Sequence, residues 1–299
     1  MITQNSTRLF YDRGATAMGM LGARADALQT QISTGKRLVA PSDDSVAFTR
    51  LSGIRRATAD AEVAGKNLDL AGSILSQADS TLKSIGAQLQ RASELTVQAR
   101  NGTQDATSRA AIADELDEIV DQLVALGNAT DARGTALFGG ADGGAAITRE
   151  ADGSFTLATT QPSAIPTGDG HSVQPGDTAA RLFGQASGDT LTTIVDLVAA
   201  LRSGTDVDAV VGGAIDKLSA ASTQVDGVQA SLGARAARVE VDQAALKDAG
   251  VNREALRSGL EDTDITSAIT QLQKTMTILQ ATQASFTKLQ GLSLFDYLR

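Results

Sequence analysis

The chain has 299 residues, a formal net charge of −9, no cysteine and no tryptophan. Its negative balance argues against nonspecific nucleic-acid binding, which depends on Lys and Arg neutralising phosphates. The missing cysteine excludes disulfides, thiolate metal sites and cysteine nucleophiles. Only four prolines are present, three of them between 162 and 175, so very long stretches are free of helix breakers. Ala, Leu, Gln, Asp, Thr and Ser fill those stretches, a composition for rods with thin seams.

Charge is unevenly placed. Residues 1–40 carry five basic and two acidic groups and residues 264–299 carry three and two, so the ends resemble each other and the body is strongly acidic. The opening MITQNSTRLFYDRG has no basic stretch followed by an apolar run, which predicts no cleavable leader. No segment approaches the roughly eighteen apolar residues expected of a membrane span, so membrane insertion is not expected.

In chain order, Tyr11, Met18, Leu21, Ala25, Leu28 and Ile32 form the first stripe, at three-four spacing that asks for a partner helix along one face. The stripe stops at STGKRLVAPSDD. Gly35 predicts the helix end, Lys36, Arg37 and Pro41 an ordered linker, and Asp43 or Asp44 the cap of the next helix. From there Ile54, Ala61, Leu68, Leu75, Leu82 and Leu89 recur every seven residues, with Ala71, Ala78, Ile85 and Ala92 in the alternate seam position. Some fifty residues make a rod of roughly 80 Å.

Asn101 and Gly102 read as a stop, and Ile112, Leu116, Ile119, Leu123 and Leu126 as a third helix that doubles back on the second. Residues 134–189 lose the helical period. Short pieces such as AAIT, SFTLAT and HSV between DG, TG and PG pairs predict a small sheet of hairpins, followed by a short helix over 190–203. Thr205 and Asp208 fit a capping box. Behind it a further seam runs from Val211 through Leu218, Val225, Leu232, Arg235, Val239 and Asp242 to Leu246, whose two charged members ask for polar partners.

A break at GLEDTD precedes the last stripe, Ile265, Ile269, Leu272, Met276, Leu279, Gln283 and Phe286, and the chain ends on the apolar GLSLFDYLR. The fold class expected is therefore mainly α: long antiparallel rods, a terminal two-helix coiled coil and a small β-rich lobe inserted at mid-chain. The terminal helices expose more apolar surface than one partner covers, which predicts assembly through Tyr11, Met18, Leu21, Leu28, Ile32, Ile265, Ile269, Leu272, Met276, Leu279, Phe286, Leu294, Phe295 and Tyr297.

Reactive chemistry finds little material. His171 is the single histidine, in a Gly/Pro/Asp-rich stretch read as a solvated loop, and no second histidine or cysteine completes a common site. The GG pairs at 139, 143 and 212 precede no Lys-Ser or Lys-Thr and open no βα unit. Asp114, Glu115, Asp117, Glu118 and Asp121 read as a solvated or intersubunit helix face. No catalytic, cofactor-binding or metal-binding residue is expected, and no cofactor.

The stretch TQISTGKRLVAPSDDSVAFTRLSGIRR at 30–56 resembles the signature after the first helix of the flagellin superfamily, and FGG at 138–140 resembles the start of its central lobe. The tail SGLEDTDITSAITQLQKTMTILQATQASFTKLQGLSLFDYLR at 258–299 is similar to that of the hook-associated protein 3 family, whose LSLFDYL ending sets it apart from filament flagellins. That resemblance implies a secreted structural subunit at the hook-filament junction. It also implies export by the flagellar type III route with an export chaperone, and a ring of copies between hook-associated protein 1 and flagellin. Carried over, residues 1–40 with 264–299 would be the inner coiled coil, 41–135 with 205–263 the rod domain, and 136–204 the outer lobe. Ser45 stands where such families often have Pro after the Asp-Asp pair. A filament-forming flagellin and, in a different class, an intracellular coiled-coil adaptor or signalling rod remain as alternatives.

Overall fold

The computed structural model describes residues 2–101, 105–140, 143–186 and 188–297, with the side chains of 2–8, 10 and 289–297 outside that description. Five long elements dominate: α1 (Ile2–Thr34), α2 (Ser45–Ala99), α3 (Ala106–Gly127), α6 (Val207–Glu261) and α7 (Ile265–Tyr297). Between α3 and α6 lie β1 (Ile147–Arg149), β2 (Phe155–Leu157), β3 (Ile165–Gly168), β4 (His171–Val173), α4 (Ala179–Phe183), β5 (Gly184–Gln185), β6 (Gly188–Asp189) and α5 (Thr190–Ser203). The fold is mainly helical, with long terminal helices that pack together and a small β-rich region at mid-chain.

Helix boundaries follow local chemistry. Gly35 adopts φ 69°, the left-handed conformation that closes α1 at the glycine. Asp44 Oδ1 accepts from the amides of Val46 (3.1 Å) and Ala47 (2.9 Å) and so caps α2, while Asp43 turns back and accepts from Val39 and Ala40 in the linker. Asp105 and Asp189 cap α3 and α5 through Ser108 and Thr192. The capping box at Thr205 and Asp208 does not form. The first residue of α6 is Val207, and the residue before it, Asp206, sits at φ 53°, so Thr205 stands one position too early to be the cap.

The chain divides into two compact units, residues 1–59 with 249–299, and residues 60–248. In the larger unit the heptad seams close on one another. Leu68, Leu75, Leu82 and Leu89 of α2 share one core with Leu218, Val225, Leu232 and Val239 of α6, and Ala71, Ala78 and Ala92 are fully buried beside them. Gln229 Nε2 donates to Asp79 (2.9 Å) and Gln243 Nε2 to Asp69 (2.8 Å), contacts that fix these two helices antiparallel. Helix α3 packs against α5 and brings Ile112, Leu116, Ile119 and Leu123 into the same core.

The lobe region is three separate antiparallel hairpins rather than one small sheet, with Ile147 opposite Leu157, Ile165 opposite Val173 and Gly184 opposite Asp189. Their apolar residues are too few for a separate core, and Ile147, Phe155, Ile165 and Val173 join the core of the rods. Phe138 is fully buried, and at Gly139 a Cβ would lie 2.6 Å from that of Ala136, so the FGG at the entry to the lobe reflects close packing. His171 is exposed, but on strand β4 rather than in a loop. Helix α4 was hidden in the sequence because its single turn and a half is too short to show a period.

Candidate assembly site on the terminal helix pair

Helices α1 and α7, each 33 residues long, pair along a thin seam in the smaller unit. Ala25 and Leu28 of α1 and Ala268 and Thr275 of α7 are its buried members among the described residues. Small side chains there let the two backbones approach closely, and they bury little apolar area each. Farther along, Tyr11 and Phe286 meet edge to face with ring centroids 5.4 Å apart. Gly14 faces the same ring, where a Cβ would lie 2.9 Å from Phe286.

The apolar positions read as assembly residues divide into two sets. Leu28 is buried, and Tyr11, Met18, Leu21, Ile32, Leu272, Leu279 and Phe286 are half-buried. Ile265 (49% exposed), Ile269 (40%) and Met276 (42%) face outward from α7 in one stripe, and Ile278, Met20 and Leu9 are also exposed on these helices. The seam of α7 thus runs through Ala268, Leu272, Thr275 and Leu279, rotated from the sequence stripe because alanine and threonine take the innermost places. Leu294, Phe295 and Tyr297 lie outside the described side chains.

Below the pair, the two linkers are tied together. The Arg37 amide donates to Glu261 O (2.6 Å) and the Thr263 amide to Gly35 O (2.9 Å), an isolated antiparallel bridge between Lys36 and Asp262. Glu261 is the hub, its side chain only 2% exposed. Its Oε1 meets Lys36 Nζ at 2.7 Å and Arg55 Nη2 at 2.8 Å, and its Oε2 meets Arg257 Nη1 at 2.9 Å. The bond from Lys36, with those from Arg257 and Arg55, outweighs desolvation and holds this carboxyl down at about 2. Arg257 also grips Glu254 through two nitrogens, which raises the guanidinium further and lowers the Glu254 carboxyl. Arg37 Nη2 donates to Leu260 O (2.8 Å). Leu38, Ala47 and Leu51 are buried in the same unit.

Lys36, Arg37, Asp43 and Asp44 therefore sit where the linker motif put them, whereas Pro41 is exposed and makes no hydrogen bond that bears on the site. Glu261 was missed. The stretch GLEDTD looked like one continuous break, but α6 runs through Glu261 and the break is confined to 262–264. The available signal was the acid in that turn set against a Lys-Arg pair in the other linker.

The larger unit resolves two further polar readings. Arg235 donates to Gly176 O (2.6 Å) and pairs with the fully buried Asp177, which Arg181 also holds. The seam arginine thus reaches the lobe. The α3 carboxylates Asp114 and Asp117 pair with Arg202, Glu115 with Arg91, and Asp121 with Arg149. Among the described residues no cluster of three His, Cys, Asp or Glu side chains is arranged to hold a metal, and no helix is long and apolar enough to cross a membrane.

Comparison with known proteins places this geometry. The bacterial flagellin N-terminal helical region matches residues 17–142, and the bacterial flagellin C-terminal helical region matches residues 215–298. The chain is 29% identical to flagellar hook-associated protein 3 of Salmonella typhimurium, covering 97% of this chain and 98% of that one. It is 28% identical to flagellin of Bacillus subtilis, over 85% of each. Among solved structures, Xanthomonas campestris FlgL superposes with a TM-score of 0.62 at 18% identity, over 69% of this chain and 99% of that one. The flagellar junction protein FlgL from Legionella pneumophila gives 0.58 at 14% identity, over 71% and 100%. At those identities the structural likeness speaks for the fold.

Proposed function

The chain belongs to the flagellin superfamily, in the hook-associated protein 3 family, and we propose that it joins hook-associated protein 1 to the first flagellins of the filament. The observation that carries this reading is the near end-to-end similarity to hook-associated protein 3, which includes both terminal helices. Its work is mechanical, not catalytic. Closed seams pack the rods of the larger unit, and the outward stripe of Ile265, Ile269 and Met276 supplies apolar surface for copies of itself in a ring and for unlike neighbours on either side. Residues 1–40 with 264–299 would form the inner layer, 41–135 with 205–263 the surrounding rod layer, and 136–204 the outward lobe. The assembly requires secretion, through the flagellar export route and with a chaperone covering the terminal helices until passage.

Similarity to Bacillus flagellin over most of the chain favours one second reading, a filament subunit. Deleting the gene separates the two. Loss of a junction protein leaves hooks intact and sheds soluble flagellin into the medium, and complementation restores filaments. Disappearance of the filament material itself, with no flagellin shed, would favour the second reading and defeat the first.

A further inference from the structure

Two holds of different character keep the terminal helices in place within the smaller unit. One is the seam of Ala25, Leu28, Ala268 and Thr275 with the Tyr11-Phe286 contact, which buries small side chains and leaves large ones exposed. The other is the Glu261 cluster with its two linker backbone bonds. The second hold scarcely depends on the first. Glu261 and Arg257 stand on α6, Arg55 on α2 and Lys36 in the linker, and α1 contributes through its last turn, where Gln31 donates to Arg37 O at 3.3 Å and Thr34 Oγ1 accepts from the Lys36 amide at 3.3 Å. The ion-paired groups of the hub are Lys36, Arg55 and Arg257 with Glu254, Glu261 and Asp262, and the Arg37 guanidinium beside them donates to Leu260 O.

We propose that this cluster is a joint that stays closed when α1 and α7 part, with Glu261 as its positioning residue. The linkers at 35–44 and 262–264 are then already docked on α2 and α6, and only the helices beyond them must rearrange when neighbours arrive. A hydrogen-bonded carboxylate with three cations is costly to break one partner at a time, since each loss leaves a buried charge undercompensated. A seam whose buried members are Ala25, Leu28, Ala268 and Thr275 covers little apolar surface and opens far more readily. The inference deepens the assembly reading, but its test uses the isolated chain, so either can fail without the other.

Hydrogen exchange of the full-length monomer at neutral pH provides that test, comparing wild type with Leu28→Asp and Glu261→Gln. In Leu28→Asp the amides of α1 and α7 should exchange at least about tenfold faster, while those of Arg37 and Thr263 stay within about threefold of wild type. In Glu261→Gln the Arg37 and Thr263 amides should accelerate at least about tenfold with helix content retained. Should Glu261→Gln fail to fold, Lys36→Met removes one cation only and should speed those two amides selectively. Equal loss of protection at both places in Leu28→Asp, or unchanged Arg37 and Thr263 amides in the joint variants, would overturn the proposal.

Discussion

Glu261 titrates far from where an unfolded glutamate would. Its ordinary value of 4.5 falls to about 2 in the fold, chiefly through Lys36 and then Arg257 and Arg55. A lowered carboxyl stabilises the fold fully above the unfolded value and loses that contribution as pH drops through the folded one. The joint should therefore weaken between about pH 4.5 and pH 2. The shift corresponds to roughly 3 kcal/mol at most, reduced because Lys36 and Arg55 are about half in water. Denaturant melts of wild type and Glu261→Gln should differ at pH 6 and converge near pH 2; a constant gap across that range would contradict the assignment. In the rod seam, Leu82 is fully buried, and Leu82→Ala should cost about 2–5 kcal/mol in a urea titration. Leu82 could be placed from the sequence because a heptad repeats its own signal. Glu261 is harder to place, because its partner Arg55 lies 206 positions away and no repeating pattern links them.

At the scale of elements, long periodic segments were legible and short or shared ones were not. The α2 and α6 seams came directly from leucine, valine and alanine at seven-residue spacing, and the pieces AAIT, SFTLAT and HSV between turn pairs coincide with β1, β2 and β4, whose pairing had no sequence signal. Of the α7 stripe, Leu272, Leu279 and Phe286 lie at the seam, while Ile265, Ile269 and Met276 face outward. Isoleucine and methionine dominate the sequence signal, yet Ala268 and Thr275 take the most buried places on α7, where small side chains let the two backbones lie close. That arrangement leaves the outward residues free for neighbours. Ile269→Asp combined with Met276→Asp should leave monomer stability within about 0.5 kcal/mol, while abolishing attachment of filaments to hooks in cells. Unchanged motility with normal filaments would remove those residues from any interface. Deleting 291–299 should likewise impair assembly and leave the melting of the rods as in wild type; normal filament attachment by that truncation would show the apolar tail to be dispensable.

Across the molecule, charge and apolar exposure are segregated. The unit of residues 1–59 with 249–299 holds thirteen basic and nine acidic side chains, whereas residues 60–248 hold thirteen and twenty-six. The acidic rods bury a continuous apolar core, and the mildly basic unit keeps isoleucine and methionine in water. A monomer gains nothing from that exposure, but a subunit that must meet copies of itself and unlike neighbours does. Immunogold labelling of the tagged chain on isolated flagella tests this most directly. A single collar of gold between hook and filament is the result this account predicts. Gold along the whole filament, or none on flagella and all of it in the cell body, would contradict it.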